Sequence, residues 1–305
     1  MKILILGATG FLGELVATRL AREGHRIICL VRNTDITSSN PNIEFVQATL
    51  DDARAISEYA QNADYLLHFA WDTTPGTSKG QPTVEAVNNL LPTFRLIEAL
   101  QSVDNCQLVF VSSAGAVYDE TGTDAVAETF PLNPKSYYGA GKLAVEMFLR
   151  AYCAQTGHPV VIVRPANVYG PGQRTKRQFA IVPTLMDAIS DGTTFEVWGD
   201  GEATRDFVYA DDFAGFFVLL TEKTWQGVST FNLASQTSCS VNDLCALLQK
   251  VSGRQLSLEY LPERGIDLHG VAIDATRARV ELGWQATTEL EAGLQKTWEW
   301  FVNSQ

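Results

Sequence analysis

The first thirteen residues, MKILILGATGFLG, place three glycines at every third position directly after a short apolar run. Residues 3–6 have the length of a buried parallel strand, and apolar residues at helical spacing follow in residues 14–23. A strand, a glycine-rich turn and a helix in this order form a phosphate-binding turn, because glycines let the backbone approach a pyrophosphate and the helix N-terminus offers free N–H groups. The sequence therefore predicts a dinucleotide site. The predicted contacts in this turn are Gly7, Thr9, Gly10, Phe11, Leu12 and Gly13.

Short apolar runs alternate with helical segments through the first half of the chain. Strands that alternate with helices form right-handed βαβ units, and hence a parallel sheet covered on both faces. We predict an α/β fold with a doubly wound parallel sheet of the Rossmann type and a smaller C-terminal substrate-binding lobe. The alternation weakens after about residue 170, so residues 1–170 are predicted to form the dinucleotide-binding domain and residues 171–305 mainly the lobe, with some segments returning to the first domain. The predicted strands after the first cover residues 27–31, 43–47, 65–69, 108–112 and 160–163.

The charge balance excludes several classes of partner. Lys and Arg number 23 against 35 Asp and Glu, which gives a net charge of −12. A protein that binds nucleic acid or an anionic membrane needs a basic footprint, so neither partner is expected. An anionic substrate would have to be held by a few local arginines and by backbone amides.

The cysteines and histidines bear on compartment and metal binding. Five cysteines are scattered without a Cys-x-x-Cys pair, which favours a reducing compartment, and the four histidines lack the spacing of metal ligands. The N-terminal apolar run is too short for a membrane span and lacks the cleavage region of a signal peptide. We therefore expect a cytoplasmic protein without a metal site.

The end of the second predicted strand bears on which nicotinamide dinucleotide is bound. An acidic residue there binds a ribose 2′-hydroxyl, whereas an arginine accommodates a 2′-phosphate. The segment reads Cys-Leu-Val-Arg32-Asn, with no acid at its tip. Arg32 therefore favours NADP over NAD, although it could instead stack on the adenine or face solvent.

A tyrosine and a lysine four residues apart supply candidate acid–base chemistry. Tyr138 and Lys142 open a predicted helix and share one face of it. An ammonium beside a phenol favours the phenolate, so Tyr138 could exchange a proton in a hydroxyl–carbonyl interconversion. Ser113 follows a predicted strand at its carboxyl end, where α/β sheets bind ligands, and could share the reacting oxygen.

At this point the chain resembles the extended short-chain dehydrogenase/reductases of the nucleotide-sugar epimerase/dehydratase type. The resemblance spans nearly all 305 residues. The matching segments, in order, are GATGFLG at 7–13, LLHFAW at 66–71, VNNLLPTFRLIEA at 87–99, SSAGAVY at 112–118, YGAGK at 138–142, RPANVYGPGQ at 164–173, WGDGEATRDFVYADDFA at 198–214, FNLAS at 231–235 and DATRARVELGW at 274–284.

The resemblance implies a role for individual residues. Tyr138 matches the family's acid/base, Lys142 the residue that lowers its pKa and holds the nicotinamide ribose, and Ser113 the partner hydroxyl. Bidentate arginines suit a diphosphate in an acidic protein. The further cofactor-side matches are Leu50, Phe69, Ala70, Asn88 and Pro165, and the substrate-side matches are Asn167, Arg205 and Arg264.

The chain departs from the family pattern at three places. Thr49 stands where an acid usually follows the third strand, which leaves Leu50 or Asp51 to serve near the adenine. Gly141 replaces the serine that precedes the catalytic lysine in many members, and Asp119 replaces a glycine. None of these changes removes a catalytic group.

Two further segments bear on the reaction. The dehydratases of this family carry an Asp-Glu pair after the catalytic hydroxyl, whereas residues 114–116 read Ala-Gly-Ala, which disfavours loss of water. Residues 71–78 resemble a Thr-rich loop of bacterial nucleotide-sugar 4-epimerases. The leading hypothesis is an NAD(P)-dependent nucleotide-sugar 4-epimerase.

Two alternative functions and an oligomeric state complete the expectations. The first alternative is an NADPH-dependent reductase of a nucleotide-diphospho-4-keto-6-deoxysugar. The second is a cofactor-sensing regulator, which the retained tyrosine, lysine and serine disfavour. The apolar faces of helices near residues 84–100 and 139–155 are expected to pair two copies into a homodimer, unless they serve ordinary core packing.

Overall fold

The computed structural model describes residues 1–33, 35–119, 125–175, 180–263 and 270–304. The strands in these residues are β1 (Lys2–Leu6), β2 (Arg26–Val31), β3 (Ile43–Gln47), β4 (Tyr65–His68), β5 (Gln107–Val111), β6 (Val160–Pro165), β7 (Asn167–Tyr169), β8 (Thr194–Trp198), β9 (Thr204–Tyr209), β10 (Val228–Leu233), β11 (Ser238–Ser240) and β12 (Ser257–Leu261).

The helices in the same residues include one with π geometry, over residues 86–90, and a short 3₁₀ turn over residues 100–102. The α-helices are α1 (Phe11–Arg22), α2 (Ala53–Gln61), α3 (Pro82–Glu85), α4 (Leu91–Ala99), α5 (Ala114–Val117), α6 (Tyr137–Thr156), α7 (Ile181–Asp191), α8 (Ala210–Thr221), α9 (Val241–Ser252), α10 (Thr276–Leu282) and α11 (Leu290–Asn303).

The main sheet has seven strands in the order β10-β6-β5-β4-β1-β2-β3, and every neighbouring pair is parallel. The chain winds from β1 through β2 to β3 in one direction and from β4 through β5 to β6 in the other. The strand order therefore reverses between β1 and β4, which opens a crevice at their carboxyl ends. The predicted α/β doubly wound fold is confirmed.

The sheet is apolar on both faces because helices cover both. Ile3 and Ile5 pack into one cluster with residues of α1 and α8, whereas Leu4 and Leu6 pack into a second cluster with residues of α2, α4 and α6. Successive side chains of a strand point to opposite faces, so a continuous apolar run is what a doubly covered strand requires.

The second half of the chain builds smaller sheets around a core of its own. β7, β9 and β11 form a three-stranded sheet, and β8 pairs with β12. A third apolar cluster joins residues of α7, α9 and α11, among them Leu185, Leu248 and Trp298. β10 nevertheless returns to the main sheet beside β6, so the lobe and the sheet exchange segments. The division at residue 170 stays a prediction.

Three surveys of the described ranges bear on the earlier expectations. None of the described helices is long and apolar enough to cross a membrane. Over the same ranges, no three His, Cys, Asp or Glu side chains cluster in a way that could hold a metal ion. All five cysteines carry free thiols and are buried.

A buried ion pair ties α6 to the main sheet. Arg164 of β6 donates from Nε and Nη2 to the two carboxylate oxygens of Glu146 in α6, at 3.0 and 2.5 Å. Its Nη1 donates to the Tyr118 hydroxyl at 2.7 Å, and the Ser112 hydroxyl donates to Glu146 Oε1 at 2.5 Å. The side chains of the two charged residues are 1% and 0% exposed, so each charge depends on its partner for compensation.

Removal of one partner should therefore destabilise the protein strongly. Arg164→Met leaves the Glu146 carboxylate buried and unpaired, and should lower the free energy of unfolding by about 3–5 kcal/mol. The control is Arg26→Met, which breaks the exposed Arg26–Glu44 pair and should cost less than about 1 kcal/mol. Urea denaturation measures both. Equal losses in the two variants would contradict the anchoring role of the buried pair.

Candidate functional site

The glycine-rich turn connects β1 to α1, and its glycines differ in how much space surrounds them. A Cβ built on Gly13 would lie 2.2 Å from the Gly7 carbonyl oxygen, so the close approach of the helix to the turn requires glycine there. Gly10 differs, because a Cβ built on it would meet no atom closer than 3.5 Å. The packing of the protein therefore gives no reason for glycine at position 10. Close approach of a ligand would give one.

The N-terminus of α1 fits an anion. No side chain caps this helix end, where Gly10 is the N-cap residue, so the N–H groups of the first turn remain for a ligand. The partial positive charge of the helix end favours phosphate at this position. The uncapped helix and the space at Gly10 together fit the pyrophosphate of a dinucleotide.

A cavity of about 380 Å³ lies over the carboxyl ends of β1, β2 and β4. It sits at the reversal of strand order, the position at which doubly wound sheets bind ligands. The structure brings most of the predicted cofactor-side residues together in its walls. Those residues are Gly7, Thr9, Gly10, Arg32, Leu50, Phe69, Ala70 and Asn88.

Other predicted cofactor-side residues lie outside the walls of this cavity. Phe11 and Leu12 pack against the apolar core between the sheet and α8, and Gly13 is buried in α1. Pro165 is the last residue of β6 and is buried. Tyr138 and Lys142 lie further along the crevice, on α6. The role of each in binding stays a prediction.

The end of the cavity beside β2 has no acidic residue at the tip of this strand. Arg32 follows β2 directly and is exposed at the cavity wall. The segment after β3 that departs from the family pattern also lines the cavity. Its residues Thr49, Leu50 and Asp51 all lie in the cavity wall. Asp51 forms an ion pair with Arg95 of α4.

The carboxyl end of β5 and the first two turns of α6 bring the catalytic candidates together. Ser113 is the N-cap residue of α5, two residues beyond β5. Lys142 is 4% exposed and donates from Nζ to the Val111 carbonyl oxygen at 2.8 Å. The same Nζ lies 3.9 Å from the centroid of the Trp71 ring and 5.8 Å from that of Tyr138. A cation over aromatic faces is stabilised by the negative face of each ring.

Burial controls the protonation of this pair. Burial raises the pKa of Tyr138 to about 12. The charge of Glu85 also raises this pKa, whereas a hydrogen bond with Ser113 lowers it. Burial also lowers the pKa of Lys142 to about 7, while Glu85 and Glu146 raise it. Removal from water is thus the largest cause of the shift in both pKa values. The role of Lys142 in lowering the pKa of Tyr138 stays a prediction.

A buried polar stripe behind the catalytic pair was missed by the sequence reasoning. Glu85, Asn89 and Thr93 are each at most 3% exposed and lie four residues apart, on one face. Asn89 Nδ2 donates to Glu85 Oε1 at 3.0 Å, and the Thr93 hydroxyl donates to the Asn89 carbonyl oxygen at 2.7 Å. Polar residues at positions i, i+4 and i+8 of one helical segment were the signal available in the sequence.

The stripe holds the segment that follows β4. The Thr73 hydroxyl donates to Glu85 Oε2 at 2.5 Å, and the Asp72 backbone N–H donates to Asn89 Oδ1 at 2.7 Å. Asn88, the residue chosen from the sequence, is exposed and donates from Nδ2 to Asp72 Oδ2 at 3.0 Å. The Thr-rich loop thus begins beside the catalytic pair, and its Trp71 has a buried indole N–H without a hydrogen-bond partner in the described chain.

The substrate-side candidates lie on the three-stranded sheet. Asn167 begins β7, is exposed, and donates from Nδ2 to the Asp206 carbonyl oxygen at 3.0 Å. Arg205 of β9 is part-buried and donates from Nη1 to the Thr204 carbonyl oxygen at 2.7 Å. The pairing of β7 with β9 sets Asn167 opposite Phe207, two residues from Arg205. Arg264 lies outside the described residues.

Comparison with known proteins agrees with this geometry. The profile of the NAD dependent epimerase/dehydratase family matches residues 3–234. A UDP-glucose 4-epimerase of Mycolicibacterium smegmatis is 32% identical to this chain over 99% of both proteins.

Solved structures of similar proteins superpose over the whole chain. The UDP-glucose 4-epimerase of Thermotoga maritima, solved with UDP-glucose, has a TM-score of 0.90 at 29% identity and covers 100% of this chain and 99% of its own. The UDP-glucuronic acid 4-epimerase of Bacillus cereus, solved with UDP-glucuronic acid and NAD, has a TM-score of 0.88 at 26% identity and covers 100% of each chain.

The two glycines of the turn should respond differently to alanine. Gly10→Ala finds open space, so its stability should stay within about 0.5 kcal/mol of the parent, while NAD affinity should fall at least about tenfold. Gly13→Ala meets the Gly7 carbonyl oxygen and should lower stability by about 1–3 kcal/mol. Thermal unfolding and NAD titration measure the two effects. Unchanged NAD affinity in Gly10→Ala would remove the turn from the binding site.

Proposed function

We propose, on the premise that this chain belongs to the NAD-dependent epimerase/dehydratase family, that it interconverts the C4 epimers of a nucleotide-diphosphate sugar. The observation that carries the proposal is the meeting of Ser113, Tyr138 and Lys142 at the carboxyl end of β5 and the start of α6, near a cavity suited to a dinucleotide. A transient 4-keto sugar is the intermediate. Ser113 and Tyr138 would share the C4 oxygen of the substrate.

The chain offers distinct groups to each part of the dinucleotide. The N–H groups at the start of α1 would bind the pyrophosphate, Arg32 and Leu50 would flank the adenosine, and Lys142 would hold the nicotinamide ribose. The bound dinucleotide supplies a hydride acceptor, and in its reduced form a hydride donor, at the sugar carbon. NAD is the cofactor of the family, whereas the absence of an acid at the tip of β2 leaves NADP as the alternative.

Proton transfer at the C4 oxygen is the task of the protein. Tyr138 would accept the hydroxyl proton as C4 becomes a ketone and return it when the opposite epimer forms. In the structure its pKa is raised to about 12 by burial, so the phenolate needs a cation nearby. Protonated Lys142, whose Nζ lies 5.8 Å from the centroid of the Tyr138 ring, would supply that charge, and Ser113 would hold the oxygen through a hydrogen bond. Arg205 would anchor the diphosphate while the sugar turns over.

One alternative reaction uses the same residues. A reductase of a nucleotide-diphospho-4-keto-6-deoxysugar would take the proton from Tyr138 once per turnover and consume NADPH. The exposed Arg32 at the cavity wall supports it, because an arginine there accommodates a 2′-phosphate. A dehydratase is disfavoured because α5 begins Ala114-Gly115-Ala116, without an acid to protonate a leaving hydroxyl.

Tyr138→Phe should abolish turnover without emptying the dinucleotide site. The loss of a general acid–base group predicts a fall in kcat of about 10²–10⁴-fold, measured as conversion of a UDP-hexose to its C4 epimer. The matched control is Tyr137→Phe, since Tyr137 is 45% exposed and lies off the catalytic face. Retained activity in Tyr138→Phe would contradict the mechanism.

The nucleotide that is released when the parent protein and Tyr138→Phe are denatured distinguishes an epimerase from a reductase. Mass spectrometry should find NAD at about one molecule per chain in the parent and in Tyr138→Phe, because an epimerase regenerates its cofactor. An empty site that binds NADPH, with one NADPH oxidised per substrate, would contradict the epimerase and support the reductase.

We also propose that two copies pair through α4 and α6. Leu91 of α4 and Met147 and Phe148 of α6 are 44–56% exposed, although they are large and apolar. Phe94 stacks on Phe148 with ring centroids 4.2 Å apart, so the two helices present one continuous apolar face. Exposed patches of this kind mark interaction sites. A second copy of this face would form a bundle of four helices.

A charge in the centre of this face should separate the copies. Phe148→Glu would bury a carboxylate in the interface, and should convert a dimer into a monomer at micromolar concentration, measured by light scattering after size exclusion. Val280→Glu is the control, because Val280 is 74% exposed on α10, away from this face. A monomeric parent protein would contradict the proposal.

A further inference from the structure

Glu85 is a buried carboxylate that the proposed mechanism does not use. It is 3% exposed and ends α3, immediately before the π-helical turn. Its two oxygens accept hydrogen bonds from Thr73 and Asn89, both neutral. In the part of the chain that the structure describes, it forms no ion pair. A buried carboxylate without a paired cation is costly, so its presence at this position calls for an explanation.

The carboxylate is pressed against the catalytic helix. A Cβ built on Gly141 would lie 2.5 Å from Glu85 Oε1 and 3.0 Å from its Cγ. Glu85 thus fills the space that a side chain at position 141 would occupy, one residue before Lys142. This explains the departure from the family pattern, in which a serine commonly precedes the lysine.

The other charged and titratable groups around Lys142 differ from Glu85. Glu146, one turn further along α6, also raises the pKa of Lys142, but it is paired with Arg164. His68 of β4 is 1% exposed, and burial lowers its pKa to about 3, so it stays neutral. Tyr138 is a phenol in the resting state. Glu85 is therefore the uncompensated negative charge in this group.

We infer that Glu85 is a positioning residue for the catalytic pair, which keeps Lys142 cationic in its apolar surroundings and joins the Thr-rich loop to α6 through Thr73. The inference deepens the proposed function and rests on it for its kinetic consequence. The electrostatic part is independent, because it concerns the protein before any substrate binds. The pKa of Lys142 is lowered by burial to about 7 even with the opposing charges of Glu85 and Glu146 present, so loss of the Glu85 carboxylate should leave mostly the neutral amine at pH 7.

The direct test is the titration of Lys142 in dinucleotide-free protein. NMR of protein labelled with ¹³C,¹⁵N-lysine would follow its side chain, assigned by the signal lost in Lys142→Met. In Glu85→Gln, which keeps the shape and removes the charge, the midpoint should fall by about one pH unit. Glu85→Asp keeps the charge and should stay near the parent value. Glu98→Gln, at an exposed position of α4, should also leave the midpoint unchanged.

Two outcomes would overturn the inference. An unchanged midpoint in Glu85→Gln would show that the carboxylate does not control Lys142, and an Asp variant that behaves like the Gln variant would assign the effect to shape. If Glu85→Gln does not fold, Gly141→Ala provides the same test, because its Cβ would displace the carboxylate while leaving its charge in the chain. The midpoint should then fall as well, and an unchanged midpoint would again overturn the inference.

The kinetic consequence is a displaced pH profile. Glu85 raises the pKa of both Lys142 and Tyr138, so Glu85→Gln should move both limbs of the kcat profile to lower pH. The ammonium is present only below its pKa, so activity on the alkaline side should fail earlier. If Glu85 acted only through its hydrogen bonds to Thr73 and Asn89, its loss would lower kcat without moving the two limbs of the pH profile. If no epimerase activity is found in the parent, the titration still decides the electrostatic inference, so the two failures are distinguishable.

Discussion

The candidate site depends on the ion pair between Arg164 and Glu146. It fixes α6, which carries Tyr138 and Lys142, to the carboxyl end of β6, and Ser112 joins the same carboxylate from the end of β5. A buried charge without its partner is costly, so the helix and the two strands must occupy one relative position. An apolar contact tolerates a shift of a fraction of an ångström, whereas these forked hydrogen bonds do not. The pair thereby sets where the catalytic side chains stand relative to the sheet.

Close packing supplies the second constraint, at both ends of the crevice. α1 approaches the first turn so closely that a Cβ at Gly13 would overlap the backbone, and α6 approaches Glu85 so closely that Gly141 has no room for one. Gly10 has such room. The contrast separates glycines that the fold requires from a glycine at which the fold would accept a Cβ, a distinction that a repeated glycine pattern cannot make.

Electrostatics at the site reflect the cost of burial in an acidic protein. With a net charge of −12, the chain must gather positive potential locally, and it does so with a helix end, a buried lysine and individual arginines. Burial raises the pKa of Tyr138 and lowers that of Lys142, so both groups tend toward neutrality in the structure. A positively charged nicotinamide would favour the phenolate of Tyr138, whereas Glu85 and Glu146 favour the ammonium of Lys142.

The sequence by itself determined the strand–helix alternation, the phosphate-binding turn and the shared face of Tyr138 and Lys142, because periodicity and covalent spacing fix these locally. It identified Arg32, Leu50 and Asn88 near the cavity by pattern. Only the tertiary structure showed that Glu85 occupies the space beside Gly141 and that burial dominates the pKa of Tyr138. Those features arise from segments more than fifty residues apart, and desolvation and close contact depend on how such segments pack rather than on their order in the chain.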